Sequence, residues 1–266
     1  MTRSSLLSLV ILFSTFSATA VDKFWRPATS QDFHVAANWD PVGIPTSTDR
    51  VIFDQFGNQD CFINATVNVS GWLQYNLYTT TVHVNAALTV GAEDFFLDSG
   101  GFFLSSYDMD VNGEFIVKGG GFLSTTAEIR IQDNFELDPL PLGGWFTDAG
   151  GVFVFDGTAN TNIQKSVILK YVEISKSSGK EVNCSAGIFL RVSEHLDYLT
   201  GYISGPGTIN VSKTAYIGPS TNGGNGVLVM DDFFPGELMM DKPGLDLDNI
   251  FIDKQSVNDT VFLRSN

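Results

Sequence analysis

Basic residues are scarce in this chain. Fifteen Lys and Arg stand against 30 Asp and Glu, a formal net charge of −15. Nucleic acid needs a basic face for its phosphates, and an anionic membrane surface selects the same charge, so neither is expected as a partner. Charged residues make up only 17% of the 266 positions and hydrophobic ones 43%. That balance excludes a disordered acidic chain and a coiled coil. Cysteine is almost absent. Cys61 and Cys184 cannot build a disulfide framework. The three histidines, His34, His83 and His195, have no His or Cys at metal-ligand spacing. No Gly-x-Ser-x-Gly elbow and no Lys-Ser/Thr phosphate loop occurs. No cofactor and no metal are expected. After residue 20 there is no uninterrupted apolar run of about 18 residues, so no membrane insertion is expected once a leader is removed.

What is present begins with that leader. Arg3 supplies a charged start, Leu6 to Phe13 an apolar stretch, and Ala18-Thr19-Ala20 a small-x-small cleavage pattern. Residues 1–20 therefore read as a signal peptide, and the chain as secreted, extracellular or displayed at a cell surface. Five Asn-x-Ser/Thr triplets, at Asn64, Asn68, Asn183, Asn210 and Asn258, are candidate N-glycosylation sites in that setting.

Helical periodicity is nearly missing and alternation dominates. Apolar residues take every second place in Ile63 to Val69, Thr81 to Asn85, Ala127 to Gln132 and Gly207 to Ser212. Each run is short and ends in Gly, Asn, Asp or Ser, the mark of strands and turns. A gapless shift of 20 residues then superposes residues 94–117 on the following stretch. Phe95 falls on Phe115 and Phe115 on Phe135; Gly100-Gly101 falls on Gly120-Gly121; Phe96, Phe102, Phe103 and Met109 fall on Ile116, Phe122, Leu123 and Ile129. A fixed period in an all-strand sequence predicts a solenoid. The fold class expected is all-β: a single-stranded parallel β-helix with coils of about 20 residues. Equivalent residues would stack about 4.8 Å apart. Phe95, Phe115 and Phe135 would form a buried ladder, and the glycine pairs would occupy a corner of positive φ. Residues 138–144 contain two prolines and read as a loop that bulges from the coil.

Residues 21–60 are expected to form an N-terminal cap and first coil, and 61–266 the solenoid. Trp25 and Trp39 bracket a segment without periodicity. They are read as plugs over the open first coil, with sugar stacking as the functional alternative. Cys61 shares phase with Ile63, Ala65 and Val67, and Cys184 with Val182, Ala186 and Ile188. Both should be inward, buried and about six coils apart, too far to pair.

Two stretches carry a resemblance. Lys23-Phe24-Trp25, Ala36-Ala37-Asn38-Trp39, Ile44-Pro45 and Asp49 to Phe53 resemble the N-terminal start of the Amnionless family, membrane-anchored partners of cubilin in endocytic uptake. The same start resembles that of exported bacterial β-solenoid proteins. Phe155-Asp156-Gly157-Thr158 with Val172 to Gly179 resembles a recurring unit of those solenoids. The resemblance implies an exported β-solenoid or an Amnionless-like subunit of an endocytic receptor.

Candidate chemistry is sparse. Asp108-x-Asp110-x-Asn112-Gly113 begins like a calcium loop, but the twelfth place, which needs Glu, is Gly119. Its acidic residues read as the outer face of a strand whose inner residues are Met109 and Val111. Glu194, His195 and Asp197 could serve as acid and base, and are read as a surface loop. Asp231-Asp232 and Asn58-Gln59-Asp60 are the only stretches with the texture of a polysaccharide-cleaving site. No catalytic residue is assigned. The function expected is a non-catalytic extracellular structural, adhesion or binding module, with a β-helix polysaccharide lyase or glycoside hydrolase as the enzyme alternative. Carbohydrate is one partner class. Another protein chain or a second copy is the other, at the open final coil near Thr260 to Leu263.

Overall fold

The structure is a computed structural model and describes residues 21–28, 30–75, 77–138, 145–232, 236–241, 247–254 and 261–265. The leader at 1–20 lies outside these residues, as does most of the loop expected at 138–144. The chain winds into about nine stacked turns of parallel β-structure. Each early turn has three short strands, here named faces A, B and C. The first coil runs Arg50–Phe53, Cys61–Ile63 and Val67–Val69; the third runs Phe95–Leu97, Gly101–Leu104 and Met109–Val111. Each strand pairs in parallel with its equivalent one coil later, and in the repeat region the register is the expected one. Phe95 faces Phe115 and Phe115 faces Phe135, while Met109 faces Ile129.

The interior is built from columns. Phe95, Phe115 and Phe135 stack on face A with ring centroids 5.0 and 5.5 Å apart. Phe102, Phe122 and Phe146 stack on face B at 5.5 and 5.6 Å. The two columns meet edge to face, as between Phe95 and Phe102 at 4.9 Å and 74°, the geometry the ring quadrupole favours. Later coils continue face A with Ile163 and Cys184. At the other end, Cys61 and Val82 precede Phe102 on face B. Each cysteine thus terminates an aromatic column six coils from the other, and both are buried free thiols.

Several expectations need correction. Ala65 and Ala186 are exposed rather than inward, because each chain turns a corner after Ile63 and Cys184. Only the first glycine of each pair has positive φ, Gly100 at +73° and Gly120 at +67°; Gly101 and Gly121 are strand residues packed against neighbouring coils. The 20-residue interval also relaxes. Coil-to-coil steps after Phe135 range from 19 residues, Phe153 to Val172, to 28, Phe135 to Ile163. In the later coils corners fade into continuous strands such as Val167–Ser175 and Phe189–Ser204. Among the described residues no helix is long and apolar enough to cross a membrane.

The first coil is covered from below by residues 21–40. Asp22–Trp25 pairs in parallel with Arg50–Phe53 and antiparallel with Trp39–Asp40. Trp25 and Trp39 meet edge to face at 5.1 Å, and Phe33 and Phe53 close the cluster. The indole nitrogens donate to Gln59 O and Phe33 O at 3.1 and 2.8 Å.

Candidate binding surfaces

In a coil whose inward positions are filled, function can reside only on the outward ones. Those of face A form a column through Phe24, Ile52, Leu73, Phe96 and Ile116, each opposite the next across a parallel ladder. Four of these five apolar side chains are half-buried and Ile52 is buried. Glu136 ends the column, ion-paired to Lys118 at 2.6 Å. Face B carries a second outward column, Phe62, His83, Phe103 and Leu123. Phe62 and His83 lie 4.6 Å apart with ring planes only 6° from parallel. That spacing matches the strand repeat, so the ring normals run along the stack and the edges point outward. An edge-on row suits apolar contact with a protein or polymer surface better than face-on contact with a sugar ring. Face C is polar instead: Arg130 pairs with Glu128 and with Asp156, and Gln132 with Asn112.

Trp25 and Trp39, the carbohydrate-stacking candidates, are 0% and 1% exposed. They plug the coil, and no face of either ring is open to a ligand. Asn58, Gln59 and Asp60 tie coils together. Asn58 Oδ1 accepts from Thr79 N and Oγ1, Gln59 O accepts from Trp25 and Tyr78, and Asp60 Oδ1 accepts from Thr81 N at 2.9 Å. Asp231 is buried in the ninth coil, where its Oδ2 accepts from Arg191 Nη2 at 2.8 Å and Asn210 Nδ2 at 3.1 Å. The two acidic stretches therefore lie at opposite ends of the molecule and cannot converge on one bond. The side chain of Asp232 lies outside the described residues.

Glu194, His195 and Asp197 are not in a loop but within the strand Phe189–Ser204. Parity puts His195 and Asp197 on the outer side of face C, with Leu196 inward. His195 Nε2 lies 3.0 Å from Asp197 Oδ1, and Nδ1 contacts Thr214 Oγ1. Thr214 Oγ1 also donates to Glu194 O at 3.2 Å. The Asp197 hydrogen bond raises the His195 pKa above its ordinary value, against the effect of burial. Glu194 is held by Lys213 at 2.6 Å. His34 sits beside Asp32 in the cap, and His83 beside Asp60, each at 3.6 Å. The three histidines are thus distributed over the cap, the second coil and the seventh. Among the described residues no three His, Cys, Asp or Glu side chains cluster as metal ligands.

Two concavities on the outer surface are formed by described residues. One, of about 340 Å³, is lined by Leu137, Phe146, Val167, Ile168 and Phe189 together with the polar Asp138 and Ser166. It lies where the five-stranded sheet of face B ends at Trp145–Asp148. The other, of about 400 Å³, is lined by Ser175, Ser177, Ser178, Thr200, Ser220 and Asn222 at a corner of three successive coils. Beside it Lys176 turns inward, its Nζ donating to Gln132 O at 2.8 Å and to Asp156 O. Burial lowers the Lys176 pKa to about 8.

No protein family, curated protein or solved structure matches this chain. The fold therefore rests on the chain's own pairing pattern. Sequence reasoning missed the outward columns on faces A and B, although the signal was there: Phe96 with Ile116 and Phe103 with Leu123 keep the same 20-residue step at the opposite parity.

Proposed function

We propose that this chain is a secreted, non-catalytic β-solenoid that serves as an extracellular structural, adhesion or binding module. The observation that carries the reading is the pair of outward apolar columns on faces A and B of the first coils, which offer contact area without acid–base chemistry. The candidate acids and bases support it as well, since Asp60, His195 and Asp231 are each engaged by side chains or backbone of a neighbouring coil. The export signal at 1–20 and the exported-solenoid resemblance of residues 23–54 agree with this setting. Within that stretch Trp25, Asn38 and Trp39 belong to the cap, and Val51 to Phe53 to the first-coil strand that the cap pairs with.

The test is incubation of the purified mature protein with a panel of acidic and neutral polysaccharides. The reading expects no release of reducing ends or unsaturated products, together with retention on some matrix or cell-surface component. Product release would establish the lyase or hydrolase reading in its place. The resemblance also supports an Amnionless-like receptor subunit as a second reading, and co-precipitation with a cubilin fragment would favour it over a self-standing module.

A further inference from the structure

The three strands of the first coil differ in what lies beneath them. On face A, Arg50–Phe53 is paired with the cap strand Asp22–Trp25. On face B, Phe62 is bridged to the cap: Phe33 N donates to Phe62 O at 3.1 Å and Phe62 N to Gln31 O at 2.8 Å. On face C, Val67–Val69 pairs among the described residues with Leu88–Val90 alone. Face C therefore presents an edge strand, and such an edge is a template for another chain.

Two of the five glycosylation triplets lie on this edge. Asn64, Ala65 and Thr66 form the exposed corner that leads into the strand, and Asn68 is its exposed central residue. A glycan attaches through the amide nitrogen. Asn64 uses its oxygen, accepting from Asn85 Nδ2 at 3.3 Å, and nothing among the described residues takes its Nδ2. The Asn68 side chain has no hydrogen bond among the described residues. The other triplets differ. Asn183 Nδ2 donates to Ser204 Oγ at 2.9 Å, and Asn210 Nδ2 donates to buried Asp231 between flanking coils. Asn258 lies outside the described residues.

We infer that Asn64 and Asn68 carry N-linked glycans, and that these bulky polar groups shield the uncapped edge of face C. The inference rests on the secreted reading above. The N-glycan is the chemistry that the triplet, the free amide nitrogen and the exposure select together.

The full chain, with its own leader, is expressed in a secreting eukaryotic cell. Appearance of the chain in the medium without residues 1–20 tests the secreted reading by itself, and failure to appear overturns that reading. For the secreted protein, enzymatic deglycosylation in heavy-oxygen water followed by mass spectrometry should label Asn64 and Asn68 and leave Asn183 and Asn210 unlabelled. A secreted chain unmodified at both edge positions, or modified at Asn183 and Asn210 to the same extent, overturns the assignment. The double variant N64Q/N68Q should keep its circular dichroism and melting profile but shift from monomer to larger species in light scattering. A variant as monomeric as the glycosylated protein overturns the shielding role.

Discussion

Phe115 packs between Phe95 and Phe135, and all three are fully buried. Removing its ring leaves a hole that two rigid neighbouring rungs cannot close, so Phe115→Ala should lose about 3–5 kcal/mol in chemical denaturation. A loss under about 1 kcal/mol would show that the site collapses freely and that the column is not a structural axis. The cysteines give a second test at this scale. Burial pushes the Cys184 thiol up to about 12 and Cys61 in the same direction. Neither should react with a thiol reagent in the native protein, and two free thiols should appear after denaturation without reductant; finding none would contradict their separation by six coils. His195 supplies the pH test. Its folded pKa is raised by Asp197, so its contribution to stability is full below the ordinary value of about 6.5 and is lost as pH rises through the folded value. An NMR titration should place it above that ordinary value, and Asp197→Asn should bring it down; an unchanged titration would mean the pair does not form in solution.

At the scale of strands and corners, legibility followed regularity. Between Phe95 and Leu137 every strand has a copy 20 residues away, so the sequence could be laid over itself and the register read directly. Glycine marked the corner as well. At Gly120, φ is +67° and an added Cβ would lie 2.5 Å from Gly100 O, whereas at Gly179, φ +78°, nothing lies within 4 Å. Both Ala variants bear the left-handed strain of about 1–2 kcal/mol, and Gly120→Ala should be the worse by its clash with the coil below. Equal melting temperatures for the two would contradict the tight stacking of that corner. Reading failed where polar residues sit inside a strand. Ser193, Glu194, His195 and Asp197 break the apolar alternation, so His195 looked like part of a loop when it is the middle of a continuous strand. It failed again at Ala65 and Ala186, because the same parity stays inward on both sides of the corner while the corner residue itself points out. The inward turn of Lys176 was not legible in the sequence. Its reason is three-dimensional: Phe155 and Ile174 pair in adjacent coils, which brings the Lys176 ammonium under the carbonyl of Asp156.

For the whole molecule, each coil rests on its neighbours alone, so shape and stability follow from repetition of one rung. The candidate binding columns, the shielded edge and the separation of the cysteines all presuppose that rung geometry. On face C, Thr89, Asp110, Arg130, Val154 and Glu173 succeed one another across parallel ladders, and Asp197 and Tyr216 follow. Thr89 and Glu173 are thus four rungs apart, about 19 Å between backbone positions, and Thr89 and Tyr216 six rungs, about 29 Å. The two native cysteines are buried and should not take a label. Pulsed electron-spin distance measurement on Thr89→Cys/Glu173→Cys and Thr89→Cys/Tyr216→Cys tests the stack directly. The stack predicts one narrow distribution for each pair, the second longer by two rungs, about 10 Å. Broad distributions, or a second distance no longer than the first, would contradict it.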